Sequence, residues 1–315
     1  MNIVILDAAT LGADIDLSPI TSIGKATVYE KTAPGEIGTR LADAEVAVVN
    51  KLKMNAETLG EAKHLRLICV TATGYDNVDL DYCRARGIAL CNVPAYSTDS
   101  VANITLAMVL SLTTHLTAYR DYVGSGNYTA SGVANCLTPT FHELSALTWG
   151  VVGGGAIGRR VARLAAAFGC RVLLCRRGEE REFKKVDIDT LCREADIISL
   201  HVPLSETTRH MINARRLSMM KKGAILVNVA RGAVCDEAAL VEAIENGTLG
   251  GLGVDVFEKE PFPAGHPYER VMGRDNVCLT PHMAWGSVEA RARCVATIRE
   301  NIAHFFGGTP QNRII

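Results

Sequence analysis

Residues 149–162, WGVVGGGAIGRRVA, join a short apolar run to a segment with helical character. The run closes at Val152, and Gly153, Gly155 and Gly158 follow in GxGxxG register. In that spacing the first glycine permits a tight turn and the second lets the backbone approach a pyrophosphate. The third lets the helix pack closely on the strand. Phosphate oxygens then meet N–H groups at the positive end of the helix. Such a motif is weak by itself in a chain with 28 glycines. The strand before it and the helix after it are what make it a dinucleotide loop. A glycine-rich turn without ligand is the alternative.

The surroundings repeat the same grammar. Upstream, Ile3–Leu6, Val46–Val49, Leu67–Val70 and Ile88–Leu90 are short apolar runs bounded by turn residues. They read as strands buried on both faces of a parallel sheet. A second series runs through Leu147–Val152, Val172–Cys175, Ile197–Leu200, Ile225–Val229, Leu252–Val256 and Val277–Leu279. Alternating strands and longer mixed segments signify α/β architecture with βα units. Two doubly wound parallel-sheet domains with a cleft between them are expected. Residues 98–116, TDSVANITLAMVLSLTTHL, lack Gly and Pro and begin with capping residues. Their apolar positions surround the helix, which suits an interdomain helix or an oligomer interface equally. A final helix is expected from about Ser287 to Phe306.

Composition bounds the function. With 33 basic against 34 acidic side chains the net charge is −1. Neither nucleic acid nor an acidic membrane is an expected partner, and anionic ligands need local groups to hold them. The N-terminal MNIVILDAAT has no basic region and reads as a first strand rather than a signal peptide. No apolar stretch approaches the roughly 20 residues that span a bilayer. The 10 cysteines form no CxxC and no zinc-like spacing, so a reducing, cytoplasmic setting without a metal is expected.

The residue that reads the adenosine ribose should end the strand after the glycine loop. That strand runs into Arg176-Arg177-Gly178, with no acid at its tip. An arginine cannot accept a hydrogen bond from a ribose hydroxyl, but it can clamp a 2′-phosphate. This favours NADP(H). NAD(H) stays open if Arg176 and Arg177 are merely solvated and Glu179 or Glu180 serves the ribose.

Three acid–base candidates follow strands of the second series: Arg231 in LVNVARGAV, Glu260 in GVDVFEKEP and His282 in LTPHMAW. Ends of parallel strands converge on one sheet edge. Singly, each has a structural explanation; together they suggest a site. Over nearly its whole length the chain resembles the D-isomer-specific 2-hydroxyacid dehydrogenases. The motifs are TATGYDNVD (Thr71–Asp79), GGGAIG, LHVPLSETTRHMIN, NVARGAVCDEAAL, GVDVFEKEP and LTPHMAW. The resemblance implies a flavodoxin-like substrate domain, residues 1–96 plus 283–315, and a Rossmann cofactor domain, 97–282. It implies Arg231, Glu260 and His282 as the catalytic triad. Arg231 would hold the substrate carboxylate and polarise the 2-keto oxygen; His282, steadied by Glu260, would give that oxygen a proton. Thr73 and Gly74 would bind the carboxylate through backbone N–H groups. Besides the three glycines, Arg176 and Arg177, cofactor contacts would come from Ala156, Ile157, Val202, Pro203, Thr208, Val229, Ala230 and Asp255. Asp255 has a structural alternative, accepting backbone N–H bonds. Ala156 replaces the arginine commoner in this loop.

PHMAWGS, with Trp285 after the histidine, and NVPAYSTDSVA (Asn92–Ala102) look like the glycerate dehydrogenase and hydroxypyruvate reductase branch. That implies hydroxypyruvate or glyoxylate as the small 2-keto acid, with Trp285 either walling its pocket or simply packing between domains. A phosphoglycerate or D-lactate type of dehydrogenase is the rival within the family, Lys51 and Lys53 being the cations that a phosphate would need. A dinucleotide-sensing binding protein with little turnover is the rival from another class. A homodimer, through 98–116 and 120–145, is also implied.

Overall fold

A computed structural model describes residues 1–315. The chain divides into two compact units, Met1–Ser97 with Gly286–Ile315, and Thr98–Trp285.

In the first unit β1 (Asn2–Ile5), β2 (Lys25–Val28), β3 (Val46–Val49), β4 (Leu67–Val70) and β5 (Ala89–Cys91) form one sheet in the order β2-β1-β3-β4-β5. Every pairing is parallel, and the order is that of flavodoxin-like sheets. Short helices α1 (Ser18–Thr21), α2 (Ile37–Arg40), α3 (Ala56–Leu59) and α4 (Leu80–Arg86) make the crossovers. β3 and β4 are buried along their whole length, as their unbroken apolar runs require. β2 is an edge strand, mostly exposed, and its KATV carries no such run.

The second unit holds a seven-stranded parallel sheet. Its strands are β6 (Thr148–Val152), β7 (Arg171–Cys175), β8 (Lys184–Lys185), β9 (Ile197–Leu200), β10 (Ala224–Asn228), β11 (Leu249–Val254) and β12 (Val277–Leu279). The order β12-β11-β10-β9-β6-β7-β8 reverses direction at β6 and β9, the arrangement of dinucleotide-binding sheets. Its helices are α5 (Thr98–Thr113), α6 (Leu116–Gly124), α7 (Asn127–Ser131), α8 (Ala156–Ala167), α9 (Ile188–Glu194), α10 (Ala214–Leu217) and α11 (Glu237–Glu245). α5 packs against α8 and across β10 and β11. The close approach works because Gly251 and Gly253 leave room for Leu112 and Met108.

The helix expected over 98–116 stops at Thr113. His115 takes a left-handed φ of 52°, which an α-helix cannot contain. The Thr113 and Thr114 hydroxyls donate to the Val109 and Leu110 carbonyls at 2.7 and 2.6 Å. Such side-chain bonds compete with the helical ladder.

The chain re-enters the first unit as α12 (Val288–Phe306), N-capped by Ser287. α12 packs on α1 and β4. Its fully buried Asn301 donates to the Asn92 carbonyl at 2.9 Å and accepts from Asn312 at 2.9 Å, so the polar group is satisfied inside the core. No single helix is long and apolar enough to cross a membrane.

Candidate active site

The glycine loop leaves β6 and opens α8. Gly153 has φ +112°, and a Cβ there would sit 2.4 Å from the His201 carbonyl oxygen. A Cβ on Gly158 would sit 1.9 Å from the Gly153 carbonyl oxygen, so helix and strand approach as only glycine allows. Gly155 is the N-cap of α8, with no side-chain cap and nothing within 4 Å of an added Cβ. The loop is therefore tight underneath and open at its amide end. Those features fit a pyrophosphate. Ala156 and Ile157 form the first turn of α8, and Val202 flanks Gly153 across the loop. Pro203 lies exposed beyond it.

At the tip of β7 the arginines are not simply solvated. The Arg176 stem lies over Gly154. Its Nε donates to the Arg177 carbonyl at 2.9 Å and its Nη1 to Glu180 at 3.3 Å. Arg159 grips the same carboxylate at 2.9 and 3.4 Å, and the Glu180 side chain is 0% exposed. Its amide donors are Arg181 at 3.1 Å, Glu182 at 2.9 Å and Phe183 at 3.4 Å. The Glu182 amide foremost, then Arg159 and Arg176, hold the Glu180 carboxyl down to about 2. Arg177 is exposed and donates to the Thr207 hydroxyl at 2.7 Å. Glu179 pairs with Arg181 at 3.0 Å.

Arg231, Glu260 and His282 lie beyond the carboxyl ends of β10, β11 and β12, which are neighbours in the sheet. Glu260 Oε2 stands 2.6 Å from His282 Nδ1. Its other oxygen accepts the Phe257 amide at 3.1 Å, which orients the carboxylate. Arg231 donates from Nη1 to the Ala230 carbonyl at 2.8 Å. The turn beneath it is tied by Asn228, which accepts the Ala230 amide at 3.0 Å and donates to the Arg231 carbonyl at 3.0 Å. Val229 lies half-buried between them.

Asp255, 1% exposed at the end of β11, accepts the Thr280 hydroxyl at 2.6 Å and the Met283 and Ala284 amides at 2.9 and 3.0 Å. These donors bracket His282, whose φ is +53°. Thr208 spends its hydroxyl on the Pro203 carbonyl at 2.7 Å and the Ser205 amide at 2.8 Å, which closes the turn after β9. Trp285 is half-buried. In the first unit Thr73 and Gly74 follow β4. Thr73 donates from its hydroxyl to the Val93 carbonyl at 2.8 Å and accepts from Asn92 at 2.7 Å.

The sequence reading missed a polar chain under the glycine loop. Trp149 Nε1 donates to Ser199 Oγ at 2.9 Å, and that oxygen lies 3.0 Å from His201 Nε2. Burial pushes His201 down to about 3, so the ring is neutral. Inside a run as apolar as IISLHVPL, the one serine and one histidine were the available signal. No group of three or more His, Cys, Asp or Glu side chains could hold a metal ion.

Comparison with known proteins gives the class. Residues 106–284 match the family model described as D-isomer specific 2-hydroxyacid dehydrogenase, NAD binding domain. The chain belongs to that family, and is a nicotinamide-dependent oxidoreductase. It is 37% identical over 287 residues to a glycerate dehydrogenase of Methylorubrum extorquens, covering 90% of each chain. Among solved structures, it is similar to the D-lactate dehydrogenase of Aquifex aeolicus complexed with NAD and lactic acid. That match has a TM-score of 0.87 and 31% identity, over 98% of this chain and 96% of the other. An acyclic imino acid reductase in complex with NADPH and D-Arg matches at a TM-score of 0.87 and 27% identity, over 100% of both chains.

The Glu180 clamp is testable by pH. A carboxyl lowered from 4.5 to about 2 stabilises the fold fully above 4.5 and loses that contribution as pH falls toward 2. Glu180→Gln lowers the melting temperature at neutral pH, and its deficit against the native chain shrinks through that window. A deficit that is constant or grows on acidification contradicts the clamp.

Proposed function

We propose that this chain reduces a small 2-keto acid, hydroxypyruvate or glyoxylate, to the D-2-hydroxy acid, with NADPH preferred over NADH. The Glu260–His282 pair at 2.6 Å carries the reading. With Nδ1 donating to the carboxylate, His282 exchanges its proton with substrate through Nε2. A nicotinamide dinucleotide held by the glycine loop would supply the hydride for the carbonyl carbon. His282 protonates the carbonyl oxygen, and the carboxylate of Glu260 balances the charged ring. Arg231 binds the substrate carboxylate in a planar fork and polarises the 2-keto oxygen. Thr73 and Gly74 are assigned to the same carboxylate, and Trp285 to the substrate pocket, on resemblance. The similarity to a glycerate dehydrogenase supports the substrate class.

Gly153, Gly155, Ala156, Ile157 and Gly158 would hold the pyrophosphate. Val202, Pro203, Val229 and Ala230 would line the cofactor, and Asp255 would meet the nicotinamide carboxamide. Thr208 acts by shaping the loop. The preference for NADPH rests on the β7 tip. Glu180, an acid that could serve a ribose there, is already saturated by two arginines and three amides. Arg177 is the exposed cation beside it.

The assay is loss of absorbance at 340 nm with hydroxypyruvate and, in parallel, NADPH or NADH. Rapid oxidation with NADPH preferred is expected. Replacing Arg176 and Arg177 together by serine reduces that preference about tenfold to a hundredfold, the worth of a charged hydrogen bond. Equal use of both cofactors overturns the phosphate reading. No turnover with hydroxypyruvate or glyoxylate overturns the substrate.

The same reading includes a homodimer. Leu116, Val123, Val133, Leu137 and Phe141 are each at least half exposed, between 50% and 70%. They concentrate in one segment, as an unburied interface would. Light scattering after gel filtration should give twice the 33.8 kDa chain mass, and Leu137→Asp with Phe141→Asp should give monomer. A native monomer contradicts the assignment.

A further inference from the structure

The loop that carries Glu260 hangs on a second carboxylate. Glu237 opens α11 and His266 lies between β11 and β12; their side chains are 9% and 8% exposed. Glu237 Oε2 is 3.0 Å from His266 Nε2, and Oε1 accepts the Glu258 amide at 3.0 Å. The Tyr268 amide donates to His266 Nδ1 at 3.4 Å, which assigns the ring hydrogen to Nε2, facing Glu237. The imidazole stacks against Phe262 and Tyr268 with centroids 4.7 and 5.2 Å away. Phe257 meets the same two rings edge-on at 4.9 and 5.8 Å.

Two successive amides of this loop thus end on two carboxylates. Phe257 donates to Glu260, and Glu258 donates to Glu237. The Arg231 turn is in backbone contact with the same place, since a Cβ on Gly232 would lie 1.9 Å from the Phe257 carbonyl carbon. Burying a carboxylate is costly unless it is hydrogen-bonded, and here both oxygens are engaged. Two donors arriving from two directions need two acceptors. A glutamine offers one acceptor and turns an N–H₂ group toward the other donor.

We infer that Glu237 is a positioning residue, which acts through the Glu258 amide and His266 to set the Glu260 carboxylate against His282. The inference rests on the reading that the Glu260–His282 pair handles the proton. A pair that merely stabilised the loop would leave the proton step alone.

The test is a double-mutant cycle on the full chain, with Glu237→Gln, Glu260→Gln and both together. kcat and KM for hydroxypyruvate with NADPH are measured alongside melting temperature and NADPH dissociation by fluorescence. Glu237→Gln is expected to lower kcat about tenfold to a hundredfold, the cost of a misplaced group. KM and NADPH dissociation stay within about twofold, since the lost interaction belongs to the transition state. The double variant is no slower than Glu260→Gln alone, because both changes act on one device. Independent losses that multiply, or an unchanged kcat in Glu237→Gln, overturn the inference. Native kcat in Glu260→Gln overturns the underlying proton assignment instead. If Glu237→Gln does not fold, His266→Gln breaks the bridge from its other end. The same comparison then applies, and multiplying losses again overturn the inference.

Discussion

The buried carboxylate of Asp255 orders the strand ends from which the site is built. Its own amide donates to the Asn228 carbonyl at 3.0 Å, which joins the ends of β10 and β11. Its two oxygens take the hydroxyl of Thr280 and the amides of Met283 and Ala284. The segment on either side of His282 is therefore fastened to the neighbouring strand. A left-handed backbone at a histidine persists only when its surroundings determine it, and Asp255 supplies that determination. Without the carboxylate, two amides and a hydroxyl would lose their acceptor, at a cost of about 1–3 kcal/mol for the buried Ala284 amide. The presentation of His282, and with it the 2.6 Å approach of Glu260, follows from this tie. The structural alternative for Asp255 raised from sequence, a carboxylate accepting backbone N–H bonds, is thus observed.

The unit treats its histidines in opposite ways. His201, half-buried under the glycine loop, is pushed down to about 3 by desolvation and cannot add positive charge there. His282 keeps a side chain 23% exposed and has a carboxylate at hydrogen-bond distance. Burial disfavours a charged imidazole, as at His201. A neutral ring without a charged partner and a half-buried ring paired with a carboxylate therefore coexist in one unit. The same economy of local groups shows at the β7 tip. In a chain of net charge −1, cationic character is concentrated by Arg159 and Arg176 converging on Glu180.

Much of this was legible because the physics is local. Buried parallel strands such as VAVV and LICV declare themselves through unbroken apolar runs, and both appear where expected. The glycine loop declares itself through spacing. β2 escaped notice because an exposed edge strand needs no apolar run, and β8 because two lysines form its whole length. The break at His115 was hidden since Thr113 and Thr114 look helical until their hydroxyls bond back to the ladder. From sequence, Glu180 is a candidate ribose acceptor. Its saturation depends on Arg159, more than one element away, and on a turn that no spacing rule describes. The Glu237–His266 pair spans 29 residues and could be found only in three dimensions. Long-range pairing of polar side chains is what periodicity cannot convey.

We propose that His282, held by Glu260, delivers the proton in 2-keto acid reduction. The most direct test is the pH dependence of kcat for reduction in the native chain and in His282→Gln. A native rate that falls as pH rises is expected, since only the charged imidazole can donate. The variant is expected to be slower by about 10²–10⁴-fold, with that fall absent. A variant that keeps the native rate, or keeps the same fall with pH, would contradict it.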